Sequence, residues 1–322
     1  MFIPGLSTAR QLLFGGCILL ACPLFAQTES TSRIDQSRQF NAAGSVTAPV
    51  NRDETAVLPA SDMLVAGADD AFGAQQLLKR EEKVQPFSAF AEVAAFVTNN
   101  VALTSRAAEG DTFMVATSGV SYRRTLRRLP QLQVEAAIRV GLFRYADFGA
   151  LDFQSLDVGG GIMYSPAKLP NTAFFARYSF TDLSTAHEYD SFFCNHTLTV
   201  GAQKVWPLAR AHALFAGTSA QWSWSDPQLA QRDEYSLYAG YQLQATRQLQ
   251  AAVSYRFGYF VYREEGDRED RNHALSASLR YDATPWAAVS GSIFSGFNRS
   301  NQEVFDYNVV NAGGALGVAV RF

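Results

Sequence analysis

Residues 131–145 read QLQVEAAIRVGLFRY. Leu132, Val134, Ala136, Ile138, Val140 and Leu142 fall on one parity, and Gln131, Gln133, Glu135 and Arg139 on the other. A β-strand sends successive side chains to opposite faces, so the stretch is apolar on one side and polar or charged on the other. The alternation recurs downstream. In LQAAVSYRFGYFV, Leu249, Ala251, Val253, Tyr255, Phe257, Tyr259 and Val261 oppose Gln250, Ser254 and Arg256. In HALSASLRYD, His273, Leu275, Ala277, Leu279 and Tyr281 oppose Ser276, Ser278 and Arg280. The last stretch sets Val310, Ala312, Gly314, Leu316, Val318, Val320 and Phe322 against Asn311, Gly313, Gly317 and Arg321.

Working outward, segments of this kind lie near 86–98, 111–124, 131–145, 152–165, 172–182, 190–205, 211–225, 234–246, 248–263, 271–283, 286–298 and 305–322. They number about twelve, an even count as a closed barrel with both ends on one side requires. The first is the least regular, because Glu92 sits in a run of Ala, Val and Phe. The connections alternate in kind. RRLP (127–130), AKLPN (167–171), WPLAR (206–210), ATR (245–247) and DATP (282–285) are short. NNVALTSRAAEGD (99–111), DLSTAHEYD (182–190), SDPQLAQRDE (225–234) and REEGDREDRN (263–272) are longer and more polar. Aromatic residues gather near the segment ends: Tyr122, Tyr164, Trp206, Tyr281 and Trp286 by the short turns, Tyr145, Tyr178, Trp224, Tyr235, Tyr259 and Tyr307 by the long loops.

Two kinds of surface can cover the apolar faces, a second sheet or lipid. Strands of soluble sandwiches usually run about five or six residues, and these are roughly twice that, near what a tilted strand needs to cross a hydrocarbon layer. Glu135, Arg139, Arg256, Arg280 and Arg321 all avoid the apolar parity. An Arg or Lys facing lipid at mid-membrane costs about 2–4 kcal/mol, which enforces such a rule. Lipid also demands that every backbone group be paired, and closure leaves no open edge. The expected fold is all-β, a transmembrane antiparallel up-and-down β-barrel. Short turns then face the periplasm and long loops the exterior, with aromatic girdles at both interfaces.

The chain ends in VAVRF with Phe322 on the apolar parity. Here it resembles the Gram-negative outer-membrane β-barrel proteins, in a porin-like branch. The likeness covers 86–322 in pattern, through FAEVAAFVTNNVALT in the first strand and NRSNQEVFDY before the last. It implies a place in the cell outer membrane, contact with membrane lipid and lipopolysaccharide, and a terminal aromatic, Phe322, that the barrel-assembly machinery engages.

The start of the chain is different. Arg10, the apolar stretch Leu12 to Phe25 and LFA at 24–26 form a secretory signal, giving a signal peptide over 1–26. A lipoprotein reading, with cleavage before Cys22 in LLAC, competes with it. Residues 27–85 are rich in Ser, Thr, Ala, Asp and Gln without sustained period, as in a flexible periplasmic segment. DDAFGAQQLLKREEK (69–83) carries only Leu77 and Leu78 as an apolar stripe; a lumen plug is the alternative for this segment. The barrel domain is 86–322. With Cys17 and Cys22 in the signal, Cys194 is left alone and no internal disulfide forms.

A net charge of −3 gives no reason to expect a nucleic-acid partner. Membrane hydrolases of this strand number use a His and a Ser two apart on the lipid face, yet His196, His212 and His273 are followed two residues on by Leu198, Leu214 and Leu275. His187 with Glu188 and Asp190 is the remaining faint rim candidate for protease chemistry. GGG at 159–161 and GGALG at 313–317 are not followed by helix patterns and so are not phosphate loops. EEGDRED at 264–270 lacks calcium-loop spacing and reads as a solvated external loop. No cofactor, metal or catalytic residue is expected. The candidate site is the pore lining: Glu135, Arg139, Asp157, Arg177, Gln203, Gln250, Arg256, Arg280 and Arg321, with Gln133 and Gln242 beside them. Its Arg excess suits a small channel for small solutes with weak anion preference. A purely structural barrel, a membrane-embedded hydrolase and a barrel for polysaccharide export are the alternatives.

Overall fold

The computed structural model describes residues 32–38, 40, 85–186, 189–264 and 266–322. The signal segment, the 69–83 stretch, His187 and Glu188 lie outside the described residues. Within the described residues the alternating segments pair into one closed antiparallel barrel, each strand bonded to its chain neighbours and the last to the first. In chain order they are β1 (Phe87–Thr98), β2 (Asp111–Leu126), β3 (Leu129–Tyr145), β4 (Phe153–Tyr164), β5 (Thr172–Thr185), β6 (Ser191–Ala209), β7 (His212–Asp226), β8 (Arg232–Gln244), β9 (Leu249–Tyr262), β10 (Glu269–Asp282), β11 (Ala287–Ser300) and β12 (Tyr307–Arg321). Strands of 12 to 19 residues exceed the about 9–11 that a hydrocarbon layer requires, so they continue into the interface on either side.

The seam between β1 and β12 carries a full ladder from Ser88 opposite Arg321 to Thr98 opposite Asn311. Phe322 completes it: its N–H donates to Phe87 O at 3.0 Å, Phe87 N–H donates to Phe322 O at 3.2 Å, and the two rings stack at 6.0 Å. The terminal aromatic is therefore a fastener at closure, where an unpaired edge would be most costly in lipid.

The face assignment follows the parity. Val93, Ile138, Val140, Leu142, Val253, Leu275, Leu279 and Leu316 are exposed on the outer wall, while Glu135, Arg139 and Arg256 line the interior. Two aromatics depart from the expected girdle. Tyr145 and Tyr307 are buried on the inner face, where Tyr145 donates its hydroxyl to Gln36 and Tyr307 accepts a hydrogen bond from Asn272 at 3.2 Å. Strand ends differ slightly too. β6 runs through Trp206 and Pro207 to Ala209, and β8 begins at Arg232.

The irregular alternation of β1 has a packing cause. Val93 and Val97 face outward and Phe90 and Phe96 inward, the Phe90 ring lying over Gly119 and the Phe96 ring over Gly313. The joint is reciprocal between β7 and β8: Phe215 covers Gly240, its register partner, and Tyr238 covers Gly217, its own. A methyl group at Gly217 would collide with the Tyr238 ring and approach Ala202 O to 2.7 Å. Gly217→Val should lower the urea midpoint of the refolded barrel by the equivalent of about 1–3 kcal/mol, the usual cost of overpacking. Ala213→Ser, on the same strand, should shift it far less.

Candidate functional site

Residues 32–38 and 40 are helical and sit inside the barrel at its long-loop end. An isolated helix is marginal in water, so its contacts must hold it. Ile34, 3% exposed, packs with Val101, Phe143, Phe153, Leu183 and Phe193. Phe40 meets Phe96 and Phe143 edge-on at 5.8 and 5.2 Å. Arg33 reaches Ala150 O and lies over the Phe192 ring, while Arg38 donates to Ala230 O at 2.6 Å and lies over Phe193. The helix thus touches the β1 and β3 wall on one side and the β6 and β8 wall on the other. This stretch falls inside the segment whose composition suggests a linker.

The first long loop helps close the same end. Val101 and Leu103 of 99–110 are buried, and Asn100 anchors them by donating to Thr104 O and Asn308 O, each at 2.9 Å. Ser32 Oγ donates to Ala102 O at 3.0 Å, which ties the helix to this loop. The EEGDRED loop also departs from a solvated reading. Arg268 is 2% exposed, donates to both carboxylate oxygens of Asp270 at 3.0 and 2.6 Å, and is sandwiched between the rings of Phe305 and Tyr262 at 3.5 and 4.0 Å. Its charge is buried because a carboxylate and two π faces replace water.

Beneath the helix lies a cavity of about 330 Å3. Five of the expected pore-lining residues meet there: Glu135, Arg139, Asp157, Arg177 and Arg256. Arg38, Arg123, Arg232 and Glu234 join them, giving six arginines against three carboxylates. On the β2–β5 wall Glu135 is shared by Arg123 at 3.3 Å and by Arg177, whose Nε donates at 2.9 Å, and Asp157 is 4.0 Å from Arg139. On the β8–β9 wall Glu234 accepts from Arg256 at 2.6 Å and Arg232 at 3.5 Å. Asp35 of the helix stands 3.6 Å from Arg38 and 3.7 Å from Arg232. Burial, with the nearby Arg232 charge, pushes the Arg38 guanidinium down to about 10. With Asp35 counted, six arginines face four carboxylates about the cavity, an excess of two positive charges.

The other candidates lie elsewhere. Gln203 is buried and accepts from Tyr238 at 3.0 Å, beside an apolar collar of Val205, Ala213 and Phe215 near the short-turn end. Gln250 faces Gln244 and Arg280 in the ladder, Arg280 bonds Asp282 at 2.7 Å, and Arg321 stands opposite Ser88, all at the same end. Arg123, missed by the sequence reading, is the register partner of Glu135, a pairing that shows once the strand register is fixed. Arg232 and Glu234 fall at a loop-to-strand boundary, and Arg38 within the N-terminal segment, so the alternation did not mark them. Inner-face hydroxyls meet across strands, Ser88 with Ser121 at 2.7 Å, Ser219 with Ser236 at 2.7 Å and Ser254 with Ser276 at 2.8 Å.

The outward histidines have partners of another kind. Tyr178 bonds His196 Nδ1 at 2.6 Å, Tyr255 bonds His273 Nδ1 at 2.7 Å, and Tyr241 pairs with His212. Each joins neighbouring strands diagonally on the lipid face, as amphipathic rings at an interface do. Among the described residues, no group of three or more His, Cys, Asp or Glu is placed to hold a metal ion, and no helix is long and apolar enough to cross a membrane.

No protein-family model and no curated protein matches this sequence. Solved structures do match. An outer membrane channel from Pseudomonas putida F1 is 9% identical with a TM-score of 0.53, covering 77% of this chain and 100% of that one. The translocator domain of autotransporter NalP from Neisseria meningitidis (10% identity, TM-score 0.42, 75% and 90% covered) and an anion-selective porin from Comamonas acidovorans (7%, 0.38, 73% and 98%) are more distant. The closed twelve-stranded sheet and the apolar outer wall give this chain the fold of an outer-membrane β-barrel.

Proposed function

We propose that the barrel is a small outer-membrane channel that favours anionic solutes. The observation that carries this reading is the mid-lumen cavity, whose wall and roof present six arginines to four carboxylates, Asp35 of the helix included. A ring of fixed charge in a narrow aqueous path raises the local concentration of the opposite ion and excludes its own sign. The cross-strand hydroxyl pairs line the path with groups that replace lost hydration. Such selectivity should weaken as salt rises, because the screening length falls from about 10 Å at 0.1 M to about 3 Å at 1 M.

The test is the reversal potential of the refolded full chain in a planar bilayer under a potassium chloride gradient. Wild type should reverse on the chloride side. Arg177→Glu with Arg256→Glu takes one positive charge from each wall and adds a negative one, and should move the reversal potential to the cation side. A cation-preferring wild type, or a double variant with unchanged selectivity, would overturn the reading.

A further inference from the structure

We propose that the outer wall of β10 and β11 is a binding site for a phosphate-bearing lipid, with the phosphate between Arg271 and Arg299 and an acyl chain along the wall below them. The site lies on the lipid side of the barrel and does not depend on whether the lumen conducts. Arg271 and Arg299 are register partners on neighbouring strands, and both are exposed on the outward parity. Side chains directly opposite one another have Cβ atoms about 4.5–5.5 Å apart, and like charges so placed repel. Elsewhere on the same rim Arg144 stands 3.7 Å from Asp152 and Arg263 2.7 Å from Asp233. Arg271 and Arg299 have no carboxylate at ion-pair distance among the described residues. Arg299 is held by uncharged oxygens alone, donating to Asn298 O at 2.7 Å, Tyr307 O at 3.2 Å and Asn308 Oδ1 at 3.0 Å, so it is positioned while its charge stays unmatched.

What lies below the arginines identifies the ligand. The next outward pair, His273 and Phe297, stacks at 4.5 Å, with Phe257 edge-on to His273 at 5.1 Å. Three outward pairs follow, Leu275 with Ser295, Ala277 with Ile293 and Leu279 with Gly291, and each sets a large side chain against a small one. The small partners leave a furrow beside Leu275, Ile293 and Leu279, and a methyl group at Gly291 would meet nothing nearer than Gly313 O at 3.9 Å. Arg271 is level with Tyr259 of the loop-side girdle, the depth at which lipid headgroups lie. Guanidinium binds phosphate through short charge-assisted bonds, and one anion shared by two arginines removes their repulsion. A free phosphate ion would leave the furrow uncovered. A lipid carries the anion above and the chain below in the order in which the wall presents their partners.

The experiment is native mass spectrometry of the full refolded chain in a non-ionic detergent supplied with lipid A, phosphatidylcholine or inorganic phosphate. Lipid A should be retained as a single adduct, phosphatidylcholine at least about tenfold more weakly because its choline opposes the arginines, and inorganic phosphate not at all because it brings no chain. Arg271→Ala and Arg299→Ala should each weaken lipid A by about tenfold or more. Arg124→Ala, exposed on the outer wall at the short-turn end of β2, should leave it unchanged. Because Arg271→Ala relieves an opposed charge, its folded band should melt no lower than wild type in lipid-free detergent, and added lipid A should raise the melting temperature of wild type far more than that of the variant. No lipid A adduct, inorganic phosphate retained as well as lipid A, an equal loss in Arg124→Ala, or the same lipid A shift in Arg271→Ala as in wild type would overturn the site.

Discussion

A chain carrying Ile138→Arg is expected to be missing from the folded, heat-modifiable band of outer membranes, while Gln133→Arg accumulates as wild type does. Ile138 stands near the middle of β3 and is 48% exposed on the outer wall. Gln133 lies on the same strand with the opposite parity, between Thr125 and Met163 in the ladder. An arginine facing lipid at the mid-plane costs about 2–4 kcal/mol, falling toward zero near the interfaces. Whole domains are stable by only about 5–15 kcal/mol, so this one side chain removes a large share. The cost at Gln133 is small because a guanidinium facing an aqueous interior keeps its hydration. Refolded in lipid vesicles, the two variants should differ in urea midpoint by the equivalent of at least about 2 kcal/mol. Equal destabilisation would mean that the apolar rows are not what touches hydrocarbon.

The sharpness of that contrast explains why so much of the barrel was legible from the residues alone. Lipid imposes one rule on every strand, and the rule has period two, so Leu275, Leu279 and Arg280 could be assigned to faces without knowing what lay beside them. Strand order followed from the connections, since tight turns join antiparallel neighbours. Inside the barrel no single rule operates. Tyr145 and Tyr307 sit near strand ends, where tyrosine favours the interface, but parity turns them inward and polar partners keep them there. Arg268 lies in an acidic, solvated-looking string, and its burial depends on Tyr262 and on Phe305, which is far along the chain.

The lining of the cavity shows the same division. Glu135, Arg139, Asp157, Arg177 and Arg256 belong to strands with clean alternation, so their inward direction could be read. Arg38 and Arg232 could not. One belongs to a helix whose large apolar residues among the described positions are Ile34 and Phe40, and the other stands where a loop becomes β8. Such a helix has no amphipathic stripe to announce it, because its seat is assembled from strands that are distant in sequence. Long-range contacts of this kind leave little local trace.

Loosening that seat should have the largest functional effect. The helix bridges opposite walls at the long-loop end, and its apolar attachment rests on two side chains, Ile34 and Phe40. Removing a buried Ile to Ala costs about 2–5 kcal/mol and a Phe about 3–5 kcal/mol; Phe40 is partly exposed, so the lower end applies to it. A combined loss of about 5 kcal/mol moves a seated–released equilibrium by more than three decades, enough to convert a mostly seated helix into a mostly released one. Ile34→Ala with Phe40→Ala should therefore raise single-channel conductance several-fold and expose residues 32–40 to protease, while strand content by circular dichroism stays constant because the wall is untouched. The polar attachments predict the salt response: Asp35–Arg232 at 3.7 Å and Arg38–Asp35 at 3.6 Å are ion pairs, so raising ionic strength should favour release in wild type and matter less once the apolar contacts are gone. If protease reaches the segment and conductance does not change, the helix is a passenger in a lumen already blocked by Val101, Leu103 and the collar around Phe215, and the barrel is structural rather than conducting.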